Sequence, residues 1–92
     1  MARVAYRLRV YGKVQGVFYR ASMKEVADRL GVDGYVRNMD DGTVEAVVAG
    51  EEEAVRKILE WCRRGPPLAS VTRVETEEIS PESVEKGFRI RY

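Results

Sequence analysis

Residues 6–30 read YRLRVYGKVQGVFYRASMKEVADRL, and the change of period inside them decides the fold class. Tyr6, Leu8 and Val10 alternate with Arg7, Arg9 and Tyr11, the period of a strand with one wet face. From Arg20 to Leu30, Met23, Val26, Ala27 and Leu30 recur at helical spacing, and Gly31 supplies a C-terminal stop. Between the two, Gly12–Tyr19 is bounded and interrupted by glycine and fits neither period. A strand therefore passes through a glycine loop straight into a helix.

Working outward, Tyr35-Val36 leads through Arg37-Asn38-Met39 to Asp40-Asp41-Gly42, a hairpin turn signal, and Thr43 to Ala49 is the return strand. Gly50 is followed by Glu51, Glu52 and Glu53, acids where a helix N-terminus favours them. Ala54, Val55, Ile58, Leu59, Trp61 and Cys62 form a broad apolar stripe, and Gly65-Pro66-Pro67 ends the helix behind Arg63-Arg64. Extended segments follow at about Ser70–Ile79 and Phe88–Tyr92, with a turn at Ser80–Ser83. This order predicts an α+β protein, a ferredoxin-like βαββαβ sandwich. Its sheet would be antiparallel, with two helices on one face and an extra C-terminal strand, as one domain over residues 1–92. That fold hosts many functions, so chemistry has to come from individual residues.

The chain has 92 residues, a formal net charge of +1, 34% charged and 45% apolar residues, proportions suited to a globular core. No apolar run reaches the roughly 18 residues needed to cross a bilayer, and the N-terminal residues lack the apolar stretch of a secretory signal. With Cys62 as the sole cysteine, no internal disulfide can form, and a cytoplasmic protein is expected. Cys62 itself is expected to pack in the core. The absence of histidine removes Ser–His and Cys–His catalysis, and with one cysteine it removes a structural zinc site as well. An oxygen-only magnesium site at Asp40 and Asp41 stays formally open, but adjacent carboxylates in a turn more commonly start the hairpin, and no metal is expected. Gln15 and Asn38 are the only amide side chains, and Glu and Arg dominate, a composition expected of a protein from a hot environment. Residues 1–37 carry eight basic against three acidic residues and the remainder eight against twelve, so the first part would attract an anion.

The loop between the first strand and first helix is the candidate anion site. Gly12 and Gly16 permit positive φ and close backbone approach to a ligand. Free amides leading into a helix N-terminus form an anion cradle that the helix dipole strengthens. Arg20 stands at the helix start, where an acid would be favoured by about 0.3–1 kcal/mol, which points to a bound anion there. Its planar fork suits phosphate better than a lysine point charge. No Gly-Lys-Ser/Thr follows, so the Walker pattern and triphosphate hydrolysis are unsupported. Asn38, just ahead of the hairpin turn, can either help form that turn or hold a water beside a phosphate.

Together these segments resemble the acylphosphatase family. Gly12-Lys13-Val14-Gln15-Gly16-Val17-Phe18-Tyr19-Arg20 is similar to its first motif: glycine, any residue, Val-Gln-Gly-Val, any residue, an aromatic and arginine. Gly34-Tyr35-Val36-Arg37-Asn38 with Gly42, Val44 and Gly50 is similar to its second. The resemblance implies hydrolysis of the carboxyl–phosphate bond of a small acylphosphate to a carboxylate and inorganic phosphate, the latter also an inhibitor. It implies that Arg20 binds the phosphoryl group with the loop amides of Gln15, Gly16, Val17, Phe18 and Tyr19, and that Asn38 orients the attacking water. It implies no metal, no cofactor and no phosphoenzyme, and a monomer is expected. Two other readings share the element order. A nucleic-acid-binding module needs stacking aromatics on its central strands, and Thr43–Ala49 has none. The other is an anion-binding regulatory domain without turnover. No nucleic-acid or membrane partner is expected.

Overall fold

The computed structural model describes residues 2–92. Strand β1 (Arg3–Lys13) leads into helix α1 (Tyr19–Leu30), followed by β2 (Asp33–Asn38) and β3 (Val44–Glu51), helix α2 (Glu52–Arg64), β4 (Ser70–Ile79) and β5 (Phe88–Arg91). The five strands form one sheet in the order β4-β1-β3-β2-β5. β1 pairs antiparallel with β3 and β4, and β3 antiparallel with β2. The split βαββαβ arrangement expected from the sequence is present, with one correction. The sheet is mixed, because β5 runs parallel to β2, with Gly34 opposite Phe88 and Val36 opposite Ile90.

The physical reason lies in the connection. β4 and β5 occupy opposite edges, so residues 80–87 have to cross the sheet before β5 begins. A crossing of that kind delivers the next strand in either direction, whereas a tight hairpin enforces antiparallel pairing. The expected turn at Ser80–Ser83 is a single 3-10 turn at Pro81–Ser83 within this crossing. Ser83 and Val84 lie beside Arg7, Tyr35 and Val47 on the face the helices leave open. Val47 is accordingly only 4% exposed although it points away from the helices. The crossing is pinned where the Gly34 amide donates to the Gly87 carbonyl (2.9 Å) and the Gly87 amide to Asp33 (2.8 Å).

On the helical face, Leu8, Val10, Val36, Val44, Ala46 and Val48 meet Met23 and Ala27 of α1 and Val55, Ile58 and Cys62 of α2 in one buried cluster. Each fully buried large side chain of this set contributes about 1.5–3 kcal/mol relative to exposure. The register that aligns Leu8 with Ala46 and Val10 with Val44 also pairs Asn38 with Val44. Asn38 therefore lies on the helical face of the sheet, at the end nearest the glycine loop.

Candidate active site

β1 delivers the loop through a bulge at Tyr11/Gly12. Gly12 has φ +119°, and a Cβ there would collide with the Ser70 carbonyl oxygen. Its close approach is thus to β4, not to a ligand as the sequence suggested. Gly16 is the reverse: at φ +74° it has open space where a Cβ would stand. On either side of Gly16, Val14 and Val17 are buried and anchor the loop in the core. Gln15 anchors it from the other side. Its Nε2 donates to the carbonyls of Met39 (2.8 Å) and Thr43 (2.9 Å), tying the loop to the β2–β3 hairpin. Of the two amide side chains, one is therefore a brace between the two halves of the site.

Phe18 closes the loop in the left-handed region, at φ 67° and ψ 22°. No sequence signal marks it, since an exposed aromatic there is not a glycine or asparagine. Left-handed Gly16 and Phe18 alternate with residues of ordinary φ, the backbone pattern found in anion-binding nests. The amides of residues 15–19 donate to no acceptor among the described residues. α1 begins without a capping side chain and without an acid in its first turn. Its dipole is left open toward the loop.

Arg20 is half-buried. Nine ion pairs form among the described residues and Arg20 takes part in none. Its guanidinium carbon lies 5.2 Å from the ring centroid of Tyr92. Asn38 Oδ1 is buried and has no hydrogen-bond partner. The turn does not need that oxygen: Asp41 Oδ1 accepts from the Thr43 amide (3.1 Å) and hydroxyl (2.6 Å), and the Met39 amide donates to the Thr43 carbonyl (2.8 Å). These bonds, with Arg9 nearby, hold the Asp41 carboxyl below the usual carboxylate range. Asp41 is thus engaged as a turn acceptor. Among the described residues no three side chains of a metal-ligating type come together.

Gly16, Phe18, Arg20 and Asn38 line one cavity of about 290 Å³, together with Ile90 and Tyr92 of the C-terminal strand end. Arg20 carries the only charged side chain among its lining residues. A wider depression of about 500 Å³ lies beside Trp61 and Pro67; Glu25, Arg29 and Arg64 line it, but no residue of the glycine loop does. Tyr19 contributes its backbone here and not its phenol. That hydroxyl donates to the Cys62 carbonyl (2.8 Å) deep between the helices, and burial raises its pKa. Cys62 is a fully buried free thiol, its pKa pushed by that burial up to about 12, which makes it the inert core residue expected. Ile90 and Tyr92 were invisible as site residues. Their alternation with Phe88 was legible, but only the parallel pairing of β5 beside β2 carries them to this cavity.

The family model for acylphosphatase matches residues 6–90. The chain belongs to the acylphosphatase family. It is 53% identical over 90 residues to the acylphosphatase of Thermococcus kodakarensis, covering 98% of both chains. Its fold superposes on the crystal structure of acylphosphatase from Bacillus subtilis with a TM-score of 0.90 at 37% identity, covering 97% of this chain and 99% of that one. It also matches part of a larger protein, HypF from T. kodakarensis, with a TM-score of 0.84 at 34% identity. That match covers 97% of this chain and 12% of the other.

Proposed function

We propose that Arg20 and the amides of residues 15–19 hold the phosphoryl group of an acylphosphate while Asn38 orients the attacking water. The overall reaction is that of the family: an acylphosphate is hydrolysed to a carboxylate and inorganic phosphate. The observation that carries the residue assignment is the buried, unpartnered Asn38 Oδ1 sharing one cavity with an unpaired guanidinium. Buried polar atoms are nearly always satisfied, so an orphan beside an anion site is where a water belongs.

A phosphoryl group on the amides of the loop faces the dipole of α1 and the fork of Arg20, which neutralise charge on its oxygens without reorganising. Water donating a hydrogen bond to Asn38 Oδ1 turns a lone pair toward phosphorus. As its oxygen bonds phosphorus, the phosphorus–acyl oxygen bond breaks and the carboxylate leaves with the bonding pair. The water's proton passes to a phosphoryl oxygen, giving dihydrogen phosphate. A carboxylate is a good leaving group, so positioning and charge neutralisation suffice and no protein base is required.

The reading includes neither a metal nor a cofactor. Every group in it comes from one chain, so a monomer suffices. The buried free thiol of Cys62 fits a reducing, cytoplasmic compartment, and among the described residues no helix is long and apolar enough to cross a membrane. Nucleic acid is a poor partner for the open sheet face. Tyr11 and Tyr35 lie there under Arg73 (4.1 Å) and Arg91 (4.5 Å), and their hydroxyls donate to Glu75 and Glu45, so the rings are not free to stack with bases. The test is release of phosphate from benzoyl phosphate, with and without EDTA and with added inorganic phosphate. Turnover that ignores the chelator and is competitively inhibited by phosphate is expected. Loss of activity with EDTA and recovery with magnesium would overturn the metal-free reading, and phosphate binding without turnover would mark a regulatory domain.

A further inference from the structure

Three large apolar side chains are prominently exposed, and two of them, Phe18 at 72% and Tyr92 at 98%, stand on the rim of this one cavity. Phe18 combines two local costs. Its backbone is left-handed at φ 67°, which an L-residue with a Cβ adopts at about 1–2 kcal/mol, and its ring is left in water. The nest explains the backbone but not the side chain, because glycine would supply the same φ without strain. The motif that this loop resembles leaves position 18 open. The Arg20 guanidinium faces the Tyr92 ring, and Ile90 lines the same cavity.

We infer that Phe18 and Tyr92 form an apolar rim that binds the acyl half of the substrate and sets a preference for aromatic or bulky acyl groups over small ones. This rests on the phosphoryl group occupying the loop. The acyl carbon is one bridging oxygen from phosphorus, so a phosphate seated against Arg20 and the amides leaves the acyl group at the cavity mouth. The mouth is walled by these two rings. An aromatic acyl group gains offset or edge contacts there, while an acetyl group is too short to cover either ring. The apolar rim and the cationic floor thus divide recognition between the two halves of one mixed anhydride.

The experiment measures kcat/KM for benzoyl phosphate and acetyl phosphate on the full chain and on Phe18→Gly, Phe18→Asn and Tyr92→Leu. Glycine and asparagine both accept the left-handed backbone, so agreement between them separates the ring from the strain. Both substrates present the same phosphoryl group, so damage to the cradle cancels in the benzoyl-to-acetyl ratio. Each variant is expected to lower that ratio about three- to tenfold, the range of a lost aromatic contact. A ratio unchanged in all three variants would overturn the rim while leaving the phosphoryl assignment intact. An Arg20→Ala chain that still turned over both substrates normally would instead remove the premise.

Discussion

The two helices of this molecule start in opposite ways. α2 opens with Glu52 and Glu53 in its first turn, its Glu52 amide donates to the Ala2 carbonyl (3.2 Å), and it ends on Arg63 and Arg64. Charge opposes the dipole at both of its ends, the arrangement that favours the helix. α1 follows the rule only at its C-terminal end, with Arg29 in the last turn and Gly31 in the left-handed cap. Neither helix start has a capping side chain, but that of α1 also has no acid, follows a left-handed phenylalanine, and carries Arg20 in its first turn. One chain thus builds one helix end for itself and leaves the other to be completed by an anion. Local rules that agree everywhere except at one place are a pointer to function at that place.

The largest expected effect comes from removing the cation that breaks the rule. Arg20→Ala takes away a bidentate contact in a site of fixed amides. It should cost at least ~2–4 kcal/mol of transition-state binding, about 30- to 1,000-fold in kcat/KM, together with inhibition by phosphate. Arg20→Lys should recover little, because a point charge does not reproduce the fork. Steady-state kinetics on both variants checks this, and near-normal turnover in Arg20→Lys would contradict the assignment.

Asn38 comes next. If its Oδ1 holds water and not phosphate, Asn38→Ala should lower kcat by roughly 10²-fold with little change in KM, the signature of an interaction made mainly in the transition state. Asn38→Asp sets a carboxylate beside the bound anion, so phosphate inhibition should weaken as well. The melting temperature should hold in Asn38→Ala, since the turn is carried by Asp41 and the oxygen removed has no partner to lose. A turn residue would behave in the opposite way, losing about 1 kcal/mol of stability with turnover intact.

The contrast between the helices was legible before any coordinates, because it lies in the identities of Arg20, Glu52 and Glu53 and in their distance from the glycines. The span of β4 was legible for the same reason, since it follows from local periodicity and turn chemistry, whereas the meeting of Arg20 with Asn38 was expected only from the resemblance. What stayed hidden depended on long-range geometry. Alternation in Phe88–Tyr92 defines a strand but says nothing of its neighbour's direction, so β5 was expected in an antiparallel sheet and is parallel. Gln15 was expected to matter through its backbone amide, whereas its side chain turns to two carbonyls on the hairpin, a target that no local pattern reveals. β3 carries Glu45 among valines and alanines, and its burial makes sense only with Arg37 Nε at 2.8 Å and the Tyr35 hydroxyl at 3.1 Å on the neighbouring strand.

The smallest expected effect tests the comparison itself, through opposite charge reversals at the two helix starts. Glu52→Arg places a cation at the positive end of α2 and should lower stability by about 0.3–1 kcal/mol at low ionic strength. For a domain of this size that is a fall of a few degrees in melting temperature. Arg20→Glu moves α1 toward the arrangement that α2 already has, so its melting temperature should hold or rise slightly. The gain is reduced by the lost contact between Arg20 and the Tyr92 ring, worth about 0.5–1 kcal/mol at an exposed site. Salt should shrink the Glu52→Arg effect, because an exposed charge is screened within about a Debye length. Inorganic phosphate then separates the two helix starts. At a hundredfold excess over its dissociation constant, a ligand bound only by the native state adds about 2.7 kcal/mol. Wild type and Glu52→Arg should both gain that stabilisation, whereas Arg20→Glu should gain none. If Arg20→Glu melted as far below wild type as Glu52→Arg does, the start of α1 would be no more strained than that of α2, and the charge at position 20 would have lost its meaning as a sign of an absent anion.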